Sequence, residues 1–149
     1  MATINLPPDF SEFVRLLNAH QVEYLLIGGY AVAYHGYPRA TADMDIWIAT
    51  HPRNAARVVA ALKEFGFDVP ALSVELFQTE NQIVRMGVPP VRIEIATGIS
   101  GVSFAECYAA RVIDVLDGLE VSLISLHDLK RNKRASGRHK DLDDLENLP

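Results

Sequence analysis

Only one cysteine, Cys107, occurs in the 149 residues of the chain. That excludes an internal disulfide framework and fits a reducing compartment, so a cytoplasmic location is expected. Cys107 itself reads as a small hydrophobe on a helix rather than as a nucleophile. Positive charge is also in short supply, with 14 lysines and arginines against 19 acidic residues and a net charge of −5. Such a balance gives no support to wholesale binding of a nucleic-acid backbone, although it leaves room for a local basic patch. No apolar run approaches the roughly 18 residues of a membrane span, and "YLLIGGYAVAY" is both short and broken by glycines. The N-terminal "MATINLPPDF" lacks the basic start and apolar stretch of a signal peptide. Repeats, low-complexity segments and linkers are missing too. A soluble domain spanning 1–149 is expected, divided into an α/β core over 1–124 and a helical segment over 125–149.

What is there reads as mixed helix and strand. Asp9 or Ser11 would cap a helix carrying Phe10, Phe13, Leu16 and Leu17. "VEYLLIGG" is a short buried strand stopped by two glycines, and "YAVAYHGY" a short helix closed by Gly36. "DMDIWIA" is a second strand, and residues 53–65 form a helix that ends at Gly66. Residues 68–81 carry no clear signal and are left between strand and loop. "QIVRMG" and "VRIEIAT" read as two strands turned at Pro89-Pro90, and residues 103–110 as a helix. Asp117-Gly118 between apolar runs is a hairpin signal. From Ser125 onward the pattern is helical with a break near Ser136-Gly137. Helices and strands without strict alternation, together with a hairpin, predict an α+β fold in which helices pack on a mixed β-sheet.

Three features carry chemistry when taken together. In "RATADMDIWIA", Asp43 and Asp45 flank Met44, and strand alternation puts both carboxylates on one face along with Trp47. Two anions so close raise each other's pKa unless a cation joins them. Aspartate is also depleted in strands, which argues against an idle surface face. In "VRIEIA", Arg92 and Glu94 share one face. Gly28-Gly29, at a strand-to-helix junction, allows close backbone approach and offers unpaired N–H groups to a phosphate. Magnesium prefers oxygen ligands, and two such ions about 4 Å apart can hold the attacking and leaving oxygens of a phosphoryl transfer. The simplest cation for the aspartate pair is therefore magnesium, arriving with a nucleotide.

A glycine pair, a gap of 13 residues from Tyr30 to Ala42, a D-hydrophobic-D-hydrophobic strand and a later strand carboxylate resemble the nucleotidyltransferase superfamily, whose fold is that of the catalytic core of DNA polymerase beta. "KRASGRHKDLDDLENL" resembles the closing segment of small bacterial members related to nucleotidyltransferase-type toxins of abortive-infection systems. The resemblance implies metal ligation by Asp43, Asp45 and Glu94, with Glu94 as ligand or general base. Gly28, Gly29, Arg39 and Thr41 would serve the nucleotide, and Lys133 and Arg138 would meet its phosphates. It further implies two magnesium ions, ATP or another nucleoside triphosphate as substrate, and transfer of a nucleoside monophosphate to a hydroxyl acceptor with release of pyrophosphate. The acceptor would be an RNA end, a protein side chain or a small molecule, and a partner protein of toxin–antitoxin type is expected. Two positions depart from the common pattern: Glu94 replaces the more usual aspartate, and Tyr30 stands where many members have serine. A nucleotide-binding or partner-docking module without turnover is the alternative those departures favour.

The remaining candidates have simpler readings. Most of the charged residues between Lys130 and Glu146 would pair along their own helices, with Lys133, Arg138, Asp141 and Asp144 as the exceptions that match the related family segment. Asp141 would orient Arg138. Tyr30, Tyr34 and Tyr37 are core residues before they are a base pocket. His20, His35, His51 and His127 do not have metal-ligand spacing.

Overall fold

The computed structural model describes residues 4–149, so the first three residues of the N-terminal segment lie outside the described residues. Six strands form one mixed sheet in the order β3-β4-β2-β1-β6-β5. They are β1 (Tyr24–Ile27), β2 (Asp43–Ile48), β3 (Ile83–Met86), β4 (Arg92–Ala96), β5 (Val112–Leu116) and β6 (Leu119–Leu123). Pairing is antiparallel for β1 with β2, β3 with β4 and β5 with β6, and parallel for β2 with β4 and β1 with β6. The helices are α1 (Pro8–Ala19), α2 (Gly28–Tyr34), α3 (Pro52–Phe65), α4 (Val74–Gln78), α5 (Phe104–Ala109), α6 (Leu126–Ser136) and α7 (His139–Asn147). The α+β architecture expected from the sequence is the one observed.

Alternation in the central strands feeds two separate cores. Met44, Ile46 and Ile48 join Leu26, Ile93 and Ile95 on one face, where Phe10, Phe13 and Leu17 of α1 and Val58 and Leu62 of α3 cover them. Trp47, Leu25 and Ala96 belong to the second face, beneath Cys107 of α5, Leu129 of α6 and Leu148. The face that carries Asp43 and Asp45 is thus covered at one end and open only at the other. Trp47 is 1% exposed. It would alone contribute about 2–3 kcal/mol through burial of its ring.

The helix boundaries follow local chemistry with two differences from expectation. α1 starts at Pro8 without a side-chain cap, because proline at the first turn has no N–H to satisfy, so neither Asp9 nor Ser11 serves as the cap. α3 is capped by His51, whose Nδ1 accepts from the Asn54 backbone N–H at 3.2 Å. The unassigned stretch 68–81 contains α4, five residues capped by Ser73 and anchored by buried Phe77. Five residues are too few to display a helical period. Asp117 (φ 50°) and Gly118 (φ 77°) form the left-handed pair of a two-residue hairpin between β5 and β6.

Candidate functional site

The site is assembled by strand register. Because β2 and β4 run parallel with Asp43 opposite Arg92 and Asp45 opposite Glu94, the charged residues of both strands stand side by side. The next strand, β3, places Arg85 opposite Glu94. Asp45, Glu94 and Arg85 therefore form one row across three strands, and Asp43 and Arg92 form the row beside it.

Each carboxylate has a different partner. Arg92 grips Asp43 with a two-pronged fork, Nε and Nη2 both donating at 2.9 Å to the two carboxylate oxygens. Those hydrogen bonds, with the guanidinium charge, hold the Asp43 carboxyl below its ordinary pKa. Arg85 Nε donates to Glu94 at 2.6 Å. Among the described residues, no cation forms an ion pair with Asp45. Burial, then a hydrogen bond to Glu94 and the charge of that neighbour, raise it from 3.8 to about 7. Asp45 is therefore the carboxyl of the row that takes up a proton near neutral pH.

The glycine pair exists because of these strands. Gly28, at φ +68°, lies so close to β2 that a Cβ there would overlap the Asp45 carboxylate. A Cβ on Gly29 would come within 2.6 Å of the Thr41 side chain. Thr41 Oγ1 donates to the Asp43 carbonyl at 3.1 Å, tying the turn to the start of β2.

The basic residues of the C-terminal segment meet this end of the sheet through a buried ionic cluster. Asp141 and Asp144 on α7 are each 1% exposed. Lys133 on α6 bonds both, at 3.2 and 3.0 Å. Arg39 forks onto Asp144 at 2.7 and 2.9 Å. Arg138 does the same to Asp141 at 2.7 and 3.3 Å while remaining 73% exposed. Burial pushes both aspartates up in pKa, but the bonds from Arg138 and Lys133 to one, and from Arg39 and Lys133 to the other, outweigh it and leave both lowered. Most of this pairing runs between elements, and Asp141 bonds Arg138 as expected.

A cavity of about 440 Å³ opens between these parts. Asp45, Glu94 and Arg85 border it from the sheet, Gly28 from the turn, and Arg39, Lys133, Arg138 and Lys140 from the far side. Ile83, Ala96 and Ile99 supply an apolar wall. Six of the residues singled out in the sequence thus share one cavity: Gly28, Arg39, Asp45, Glu94, Lys133 and Arg138. Gly29, Thr41 and Asp43 do not line it. Gly29 and Thr41 pack on each other, and Asp43 is turned to Arg92. Among the described residues no group of three or more histidine, cysteine, aspartate or glutamate side chains is arranged to hold a metal ion. The tyrosines stay outside the cavity: Tyr34 donates to Asp114 at 2.6 Å, Tyr37 donates to Asp143 at 3.1 Å, and Tyr30 meets Phe10 edge-on.

Residues 8–148 match the family described as nucleotidyltransferases of unknown function, DUF6036. The chain belongs to that family. Its fold is shared with a presumed nucleotidyltransferase of Thermotoga maritima, at a TM-score of 0.63 and 17% identity, over 92% of this chain and 88% of the other. An antigenic nucleotidyltransferase-like protein of Paracoccidioides brasiliensis matches at a TM-score of 0.56 and 18% identity, over 92% and 72% of the two chains. No curated protein matches it in sequence. Among the described residues of this family member, no helix is long and apolar enough to cross a membrane.

Arg92, Arg85 and Lys140 are the residues of the site that sequence reasoning missed. Arg92 had a signal, since it alternates with Glu94. Its partner became visible only with the β2–β4 register.

Proposed function

We propose that the chain is a magnesium-dependent nucleotidyltransferase that moves a nucleoside monophosphate from a nucleoside triphosphate to a hydroxyl acceptor. One observation carries this reading: an acidic pair, Asp45 and Glu94, faces the cations Arg39, Lys133, Arg138 and Lys140 across a single cavity. The donor set suits a divalent ion, because Asp45 and Glu94 stand side by side on neighbouring strands and both present carboxylate oxygens to the cavity. Bound there, magnesium would neutralise the α-phosphate and orient it for attack. Arg138 and Lys140 would hold the β- and γ-phosphates and offset the charge that grows on departing pyrophosphate. Glu94 would take the proton of the acceptor hydroxyl as its oxygen bonds to the α-phosphorus and the bond to the β-phosphate breaks. Ile83, Ala96 and Ile99 offer the base an apolar wall. The acceptor belongs to an RNA end, a protein or a small molecule, in the manner of toxin–antitoxin enzymes that act with a partner protein.

A second reading, nucleotide binding without turnover, is favoured by the Asp43–Arg92 pair, which withdraws one carboxylate from the cavity. Thermal shifts with each triphosphate, with and without magnesium, followed by a pyrophosphate assay, separate the two. Magnesium-dependent stabilisation with release supports transfer, stabilisation without release supports the binding module, and neither response refutes both. Asp45→Asn should abolish the magnesium-dependent shift while the protein stays folded.

A further inference from the structure

We infer that Arg92 stands in for one of the two divalent cations that a three-carboxylate site would take, so that the protein binds a single ion on Asp45 and Glu94. The inference rests on the function proposed above. Both oxygens of Asp43 accept from the Arg92 fork at 2.9 Å, so a metal there would have to compete with the guanidinium for them. The placement is built into the backbone, since Asp43 and Arg92 are direct partners across parallel strands. A residue two positions along a strand lies roughly 6.6 Å away on the same face. The guanidinium therefore holds Asp43 in the row next to Asp45 and Glu94, where a second ion about 4 Å from the first would otherwise find its third carboxylate.

Charge favours the same arrangement. Glu94 already carries Arg85, so the two rows hold three carboxylates and two guanidinium groups before any metal arrives. One dication suffices to balance the acidic side with charge to spare for a phosphate. A second would have to enter beside Arg92 and displace it. The Arg92 side chain is 36% exposed, so its remaining donors reach solvent rather than a core. Unlike a metal, arginine keeps its charge at every working pH and needs no loading. It cannot act as a Lewis acid, and its part is to position Asp43 and supply fixed positive charge.

Counting bound Mn²⁺ by electron paramagnetic resonance in the folded protein without nucleotide tests this. The wild type should bind one ion, lost in Asp45→Asn and retained in Asp43→Asn. Arg92→Gln should raise the count to two by releasing Asp43, and adding Asp43→Asn to it should restore one. Arg92→Lys keeps a cation on Asp43 and should stay at one. Circular dichroism checks that each variant is folded. Two ions on the wild type, loss of its ion in Asp43→Asn, or a count of one in Arg92→Gln overturns the role given to Arg92 and leaves the proposed function standing. A wild type that binds no Mn²⁺ overturns the metal-dependent reading and this inference with it.

Discussion

Asp45→Asn should make the protein more stable at pH 8 and change little at pH 4. In the folded chain Asp45 ionises near pH 7, whereas its ordinary value is 3.8. A raised carboxylate is a penalty that begins as pH climbs past the unfolded value and is complete above the folded one. Stability is thus lost between about pH 4 and pH 7 and does not recover at higher pH. The rise from 3.8 to about 7 corresponds to ~4 kcal/mol, since a tenfold change in a proton-binding constant is worth about 1.36 kcal/mol. Asparagine keeps the shape and the hydrogen-bonding capacity without the charge, so most of that penalty should vanish. We expect a gain of about 2–4 kcal/mol at pH 8, or roughly 4–16 °C in Tm for a domain of this size. By pH 4.5 the gain should fall to about 1 kcal/mol. Differential scanning calorimetry at the two pH values, without divalent ions, measures the difference directly. Equal Tm for variant and wild type at pH 8, or a gain that does not depend on pH, would refute the placement of a strained carboxyl beside Glu94.

Two further substitutions probe the walls of the cavity. Lys133→Met removes the cation shared by Asp141 and Asp144, each 1% exposed, leaves each with one arginine, and should cost about 1–3 kcal/mol in urea unfolding. Gly28→Ala should cost about 1–3 kcal/mol in the same assay, because the left-handed backbone and the overlap with Asp45 both oppose a methyl group.

How far the sequence led can be judged residue by residue. β2 was legible because Met44, Ile46 and Ile48 alternate with charged or aromatic neighbours, and the β5–β6 turn because Asp117-Gly118 is a local signal. The face carrying Asp43 and Asp45 was read from the same alternation, and Glu94 from the matching pattern in β4. Pairing lay out of reach. Nothing local says that β4 lies parallel to β2 in the register that sets Arg92 against Asp43, since a slip of one residue would reverse every face. The glycines illustrate a second limit: their sequence position signals room for a phosphate, while the structure shows that they make room for Asp45 and Thr41. Arg39 and Asp144 are separated by 105 residues, so no window on the chain could join them. α4 escaped for a simpler reason, being too short to announce itself.

The buried knot of Lys133, Asp141, Asp144 and Arg39 also fixes where the domain can be cut. A fragment ending at Gly137 would retain all six strands and the whole of α6. It would nevertheless strip Arg39 and Lys133 of their anions at a stroke, turning an ordered wall into bare cationic side chains that attract any passing polyanion. Residues 138–149 are in this sense the lining of the cavity rather than a tail behind it.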